Sequence, residues 1–198
     1  MSLRLLMAGL WTPRASARGE LLRIEEATNQ ALDALLLQHV PGYSPPRLDR
    51  PSGDLEAIRE RMARGHRLRV DRLLNEIGRE EGIRLGRAAL HPVGLMLGGE
   101  ARARLGVGDG AKDLERAAKV VYRILGIEIE MELSEGGGRM RVRRCSLSPH
   151  YSQDTCAVLS ATDEGMVSGL SPRARMEFVE HITSGSSGCL ARIQIEGG

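Results

Sequence analysis

Cys145, Cys156 and Cys189 are the only cysteines of the chain, and all three lie in its C-terminal part. Each falls where a predicted element starts or ends, so a fold can bring them together. His150, Tyr151, Asp154, Asp163, Glu164, Glu180 and His181 supply nearby polar groups. Three chemistries suit this set. A thiolate helped by His150 and an acidic residue could attack an electrophilic carbon or activate water. Cys156, beside a predicted helix cap at Asp154 or Thr155, is the thiol placed to gain thiolate character from the helix dipole. Alternatively, two or three cysteines with His150 or Glu180 could bind zinc, although no C-x-x-C pair is present. In the third case the thiols are small buried hydrophobes, the common fate of free cysteine. Three is an odd number for a disulfide framework, and the pattern suits a reducing, cytoplasmic compartment.

The other histidines call for no chemistry. His39, His66 and His91 lie near predicted helix ends, where an imidazolium meets carbonyl dipoles, and His181 falls in a predicted helix beside Glu180. Composition narrows the functional classes further. Aromatic residues make up 3% of the chain, and 28 basic residues face 26 acidic ones. Stacking platforms are scarce and no strong positive field is present, which argues against nucleic acid as a partner. No apolar run is long enough to cross a bilayer. The apolar stretch from Leu5 to Trp11 is short for a secretory signal and stops at Thr12-Pro13-Arg14.

The elements that must position these groups follow from periodicity. Leu21, Ile24, Ala27, Ala31, Leu32 and Leu35 repeat at helical spacing until Pro41-Gly42. After a proline-rich loop, Ser52 or Asp54 caps a second helix through Met62. A longer helix is expected from Leu68 to Leu90, broken or kinked at Pro92. Gly78, Gly82 and Gly86 form a bare stripe along it, suited to close packing or to a wall against a flat ligand. Gly106 to Lys112 only superficially resembles a phosphate loop and reads as a turn between helices. A helix through Leu114, Ala117, Ala118, Val121 and Leu125 then ends at Gly126.

From Ile127 the period changes to two. Ile127, Ile129, Met131 and Leu133 alternate with Glu128, Glu130 and Glu132, and Met140 and Val142 with Arg139, Arg141 and Arg143. This predicts a hairpin turning at Gly136-Gly137-Gly138, with glutamates facing arginines across it. A helix with Val158, Ala161, Met166 and Leu170 follows, then a second one starting at Ser171-Pro172 with Met176, Val179 and Ile182 on one face. Cys189, Ala191, Ile193 and Ile195 close the chain as a strand. The reading is a single α+β domain over 1–198, mainly helical over 1–126, with hairpin, two helices and closing strand over 127–198.

Cys145, Asp154-Thr155-Cys156, Asp163, Gly169-Leu170-Ser171-Pro172 and Thr183-Ser184-Gly185-Ser186-Ser187-Gly188-Cys189 resemble the L-2-amino-thiazoline-4-carboxylic acid hydrolase-like family. Ser171 stands where that pattern has Asn, and Ser186 where it has Asp. The resemblance covers about the last third of the chain. It implies hydrolysis of a C–N bond in a small heterocycle or amide, with Cys156 as nucleophile or anchor, Asp163 as the orienting or basic carboxylate and His150 as proton carrier, and no cofactor. The same region is similar to the 4-vinyl reductase domain, whose fold is shared with TRAPP subunits. That similarity implies helices packed on a small antiparallel sheet, a homodimer, and a small-molecule or zinc sensor. Its zinc ligands would fall on Cys156, Glu180 and Cys189, with Thr183 where a further cysteine is expected.

Overall fold

The computed structural model describes residues 2–49 and 54–196. Among these residues the order is α1 (Leu3–Leu10), α2 (Arg14–His39), α3 (Leu55–Ile77), α4 (Arg79–Leu105), α5 (Ala111–Ile124), β1 (Ile127–Ser134), β2 (Gly137–Cys145), α6 (Gln153–Leu170), β3 (Ala174–Glu180) and β4 (Cys189–Ile195). Short 3-10 turns occupy Ser148–His150 and Ile182–Ser184. The sheet is antiparallel throughout, in the order β1-β2-β4-β3, and the helices pack on it. The expected α+β class, a helical bundle on a small antiparallel sheet, is the architecture found. No described helix is long and apolar enough to cross a membrane.

Several helix boundaries differ from the periodicity. Asp54 caps α3 by accepting from the Glu56 amide, while Ser52 lies outside the described residues. The helix then continues to Ile77, because nothing between Met62 and Leu68 breaks it. The interruption falls at Gly78, whose φ of 88° places it in a conformation that L side chains avoid. Pro92, the expected break, lies inside α4. An internal proline costs about 3 kcal/mol, and here the long contact of α4 with α6 offsets it.

That contact is built on glycine, though not on the stripe at 78, 82 and 86 alone. A Cβ at Gly94 would lie 2.0 Å from the Thr162 carbonyl oxygen, and one at Gly98 would lie 2.2 Å from that of Met166. Gly165 and Gly169 do the same from α6, at 2.1 Å and 2.3 Å from the carbonyl oxygens of His91 and Leu95. The two backbones therefore touch, which no larger residue permits. Gly86 meets the side chain of Val158 on α6, and Gly82 meets Leu74. Close packing accounts for Gly82 and Gly86 of the stripe, and no ligand wall is formed there.

At the other end of the chain, Ser152 rather than Asp154 or Thr155 caps α6, accepting from the Thr155 amide. The helix expected after Ser171-Pro172 is strand β3. Ser171 is the C-cap of α6, and Ala174 and Met176 face inward while Arg175 and Glu177 face out. Met176, Val179 and Ile182 fit helical spacing, but the alternation at 174–178 decides the outcome once β4 offers a partner.

Two irregularities in the sheet aim its side chains. In the β1-β2 hairpin Glu128 is opposite Arg144 and Ile129 opposite Val142, so Arg143 is one residue extra. Arg143 and Arg144 consequently both face out, and Cys145 turns inward. The expected pairing of charges across the hairpin is present as Arg139–Glu132, Arg143–Glu130 and Arg144–Glu128, with Arg144 rather than Arg141 completing it. In β3, Phe178 is opposite Ala191 and Glu180 opposite Leu190, leaving Val179 extra. This bulge turns Glu180 to the outer face.

Candidate functional site

Where α6 crosses the sheet, the inward residues do not fill the space. A cavity of about 60 Å³ remains, walled by Cys156, Leu159, Ser160 and Asp163 from α6, Tyr122 from α5, and Cys145, Cys189 and Phe178 from the sheet. Leu147, Ser148, Tyr151 and Ile182 close its rim. Positions 156, 159, 160 and 163 follow helical spacing, so one face of α6 supplies them. On β4, Cys189 begins the inward series that continues at Ala191, Ile193 and Ile195. All three cysteines, far apart in sequence, therefore meet at one hollow. At about 15 Å³ per probe sphere it has room for a few waters, and it is well below the ~150 Å³ that admits benzene.

The thiols on this wall are kept electrically neutral. Burial pushes the Cys156 thiol up to about 12 and the Cys145 thiol up to about 11, and raises Cys189 as well. The Thr183 hydroxyl beside Cys156 and the Ile182 amide, which donates to Cys189 Sγ at 3.4 Å, pull the other way and do not prevail. Cys156 is the fourth residue of α6, and its own amide already donates to the Ser152 carbonyl. Desolvation outweighs the helix dipole there, so the expected thiolate does not form.

Asp163 is enclosed by protein, and the surface it retains faces the hollow. Burial raises its carboxyl from 3.8 to about 7, and the Tyr122 hydroxyl and Glu164 modify that only secondarily. No cationic side chain among the described residues pairs with it. The Tyr122 hydroxyl lies toward Asp163, yet it is buried without a closed hydrogen bond. Such an orphaned group costs roughly 1–3 kcal/mol.

Behind the cavity a hydrogen-bonded line runs into the bundle. Tyr151 Oη lies 2.8 Å from His66 Nδ1, and His66 Nε2 lies 2.7 Å from Thr28 Oγ1. Thr28 donates to the Ile24 carbonyl at 2.7 Å, so Nε2–H donates to Thr28 and Nδ1 accepts from Tyr151. His66 is fully buried, and desolvation holds it down at about 3. Its place is the interior of α3 rather than a helix end, a consequence of α3 running unbroken. Beside the cavity, Arg87 donates to the Ala157 carbonyl, Ser160 Oγ and Glu164 at 2.7, 2.8 and 2.7 Å. His181 sits between β3 and the Ile182–Ser184 turn, not in a helix, with its ring 5.4 Å from Phe178.

The sequence candidates divide accordingly. Cys156, Asp163, Cys145 and Cys189 share the hollow, joined by Tyr122, Tyr151 and Ser160. His150 ends its 3-10 turn outside the wall. The zinc set of Cys156, Glu180 and Cys189 is not assembled, because the bulge at Val179 carries Glu180 to the outer face. Among the described residues no three His, Cys, Asp or Glu side chains gather in a metal-holding group. Tyr122 is a site residue that sequence reasoning misses. It occupies the apolar face of an amphipathic helix and carries no local signal of a polar role.

Solved structures share this architecture. The fold is similar to that of a TRAPP subunit. Trafficking protein particle complex subunit 3 from Naegleria fowleri, solved covalently bound to palmitic acid, matches with a TM-score of 0.53 and 15% identity over 70% of this chain and 95% of that one. The phenol-responsive sensory domain of the transcription activator PoxR, solved with phenol, matches with a TM-score of 0.50 and 15% identity over 84% of this chain and 89% of that one. An H-NOX protein from S. oneidensis aligns at a TM-score of 0.46 and 14% identity over 90% of this chain and 99% of that one. Neither a family model nor a curated protein matches the sequence.

Proposed function

We propose that this chain is a small-molecule-binding sensory module whose ligand occupies the hollow between α6 and the sheet. One observation carries the reading: polar groups from α5 and α6, with three thiols, converge on a single cavity where Asp163 has no cationic partner among the described residues and the buried Tyr122 hydroxyl closes no hydrogen bond. Pockets of this make-up, apolar with a few convergent polar groups, are where small molecules bind. The fold shared with the phenol-responsive domain supports it. A ligand as large as phenol requires the rim turns at Leu147–His150 or Ile182–Ser184 to move outward, since the cavity is about 60 Å³.

The cysteine hydrolase implied by the sequence resemblance is the weaker reading. A thiol at about 12 leaves roughly one part in 10⁵ as thiolate at neutral pH, and His150 does not reach the wall. Small neutral and charged molecules screened by thermal unfolding test the proposal. Binders should raise the midpoint of the wild type and lose their effect on Cys156→Met, which fills the space while the circular dichroism stays native. If no compound shifts the wild type, or if binders shift the filled variant equally, the hollow is not a ligand site.

A further inference from the structure

The charge inside the hollow points to the class of ligand, an inference that rests on the binding role above. We infer that the cavity selects a small organic cation, a primary alkylammonium of a few non-hydrogen atoms, whose N–H groups donate to Asp163 and to Tyr122 Oη. Asp163 presents its carboxyl to the hollow with no cationic partner among the described residues. The Tyr122 hydroxyl is buried on the same wall and lies toward Asp163 without closing a hydrogen bond. Every other group facing Asp163 is uncharged or acidic: Tyr122 from α5, Cys145 from β2, Tyr151 from the turn before α6, Cys156 from α6 and Cys189 from β4. Glu164 on α6 adds negative charge and is itself held by Arg87. The Tyr122, Tyr151 and Phe178 rings suit a cation, which aromatic faces attract. A buried carboxylate without a counter-charge is costly, and an ammonium supplies that charge along with three donors. The volume limits the alkyl part to about two or three carbons, given that benzene needs ~150 Å³.

Ethylammonium and ethanol, nearly equal in size, separate charge from shape. Affinity at three non-hydrogen atoms is on the order of millimolar at best, within reach of NMR titration at constant ionic strength. Ethylammonium should bind at least tenfold tighter than ethanol at pH about 8. The preference should fade about tenfold per pH unit below pH about 7, as Asp163 takes up a proton while the amine keeps its own. Asp163→Asn should abolish the preference and its pH dependence, and Tyr122→Phe should weaken ethylammonium several-fold; the first removes a buried charge and the second a hydroxyl that closes no hydrogen bond, and both should leave folding intact. Equal binding of ethanol and ethylammonium in the wild type, lost in Cys156→Met, overturns the inference and leaves the binding role standing. If Cys156→Met binds ethylammonium as well as the wild type, the inference and the binding role fail together.

Discussion

Replacing Asp163 by Asn should change how stability depends on pH, in a direction the cavity dictates. The Asp163 carboxyl is raised by burial from 3.8 to about 7. Between these values the folded chain holds a proton that the unfolded chain has released, so the group's contribution is fully present below pH about 4 and is lost as pH rises through about 7. Some three pH units at about 1.4 kcal/mol each give a loss of roughly 4 kcal/mol. His66 acts with the opposite sign. Lowered from 6.5 to about 3, it costs stability as pH falls below about 6.5, because only the unfolded imidazole takes up the proton. The two effects nearly cancel in the wild type over much of the acid range, so its own profile reveals neither. The difference between Asp163→Asn and wild type isolates the carboxyl. Urea unfolding at a series of pH values should show the Asp163→Asn variant about equal to wild type near pH 4 and more stable by roughly 4 kcal/mol above pH 7.5. A difference that stays constant across that range would refute the claim that Asp163 is buried without a cationic partner.

Gly98→Ala should destabilise the protein by about 3 kcal/mol or more, because its Cβ would meet the Met166 carbonyl oxygen at 2.2 Å. Gly99→Ala, with open space around its Cβ, should be neutral or gain up to about 1 kcal/mol from helix propensity; thermal unfolding of the pair checks both. Tyr151→Phe leaves His66 Nδ1 unsatisfied in the core and should cost about 1–3 kcal/mol, read from denaturant midpoints.

The sequence makes the sheet legible wherever one face is buried and the other charged, as in the hairpin from Ile127 and the strand from Cys189. It also groups Cys145, Cys156, Cys189 and Asp163 as candidates, and the fold brings them to one hollow. What the periodicity does not show is the phase of individual side chains after a bulge. One extra residue at Arg143 turns Cys145 in, and one at Val179 turns Glu180 out, and neither bulge carries a residue that marks it. The break at Gly78 escapes the periodicity for a related reason. A glycine and a proline both weaken a helix, and only tertiary packing decides which one ends it. Ser171-Pro172 misleads because proline is common just past a helix end as well as in a first turn.

The most direct measurement is residue-by-residue alkylation of the native protein, followed by mass spectrometry with and without the tightest binder from the thermal screen. A guest in the hollow should slow modification of Cys145, Cys156 and Cys189 in parallel, by a factor that tracks its occupancy. Saturating binding that leaves all three rates unchanged would place the guest elsewhere and contradict the assignment of this cavity as the sensing site.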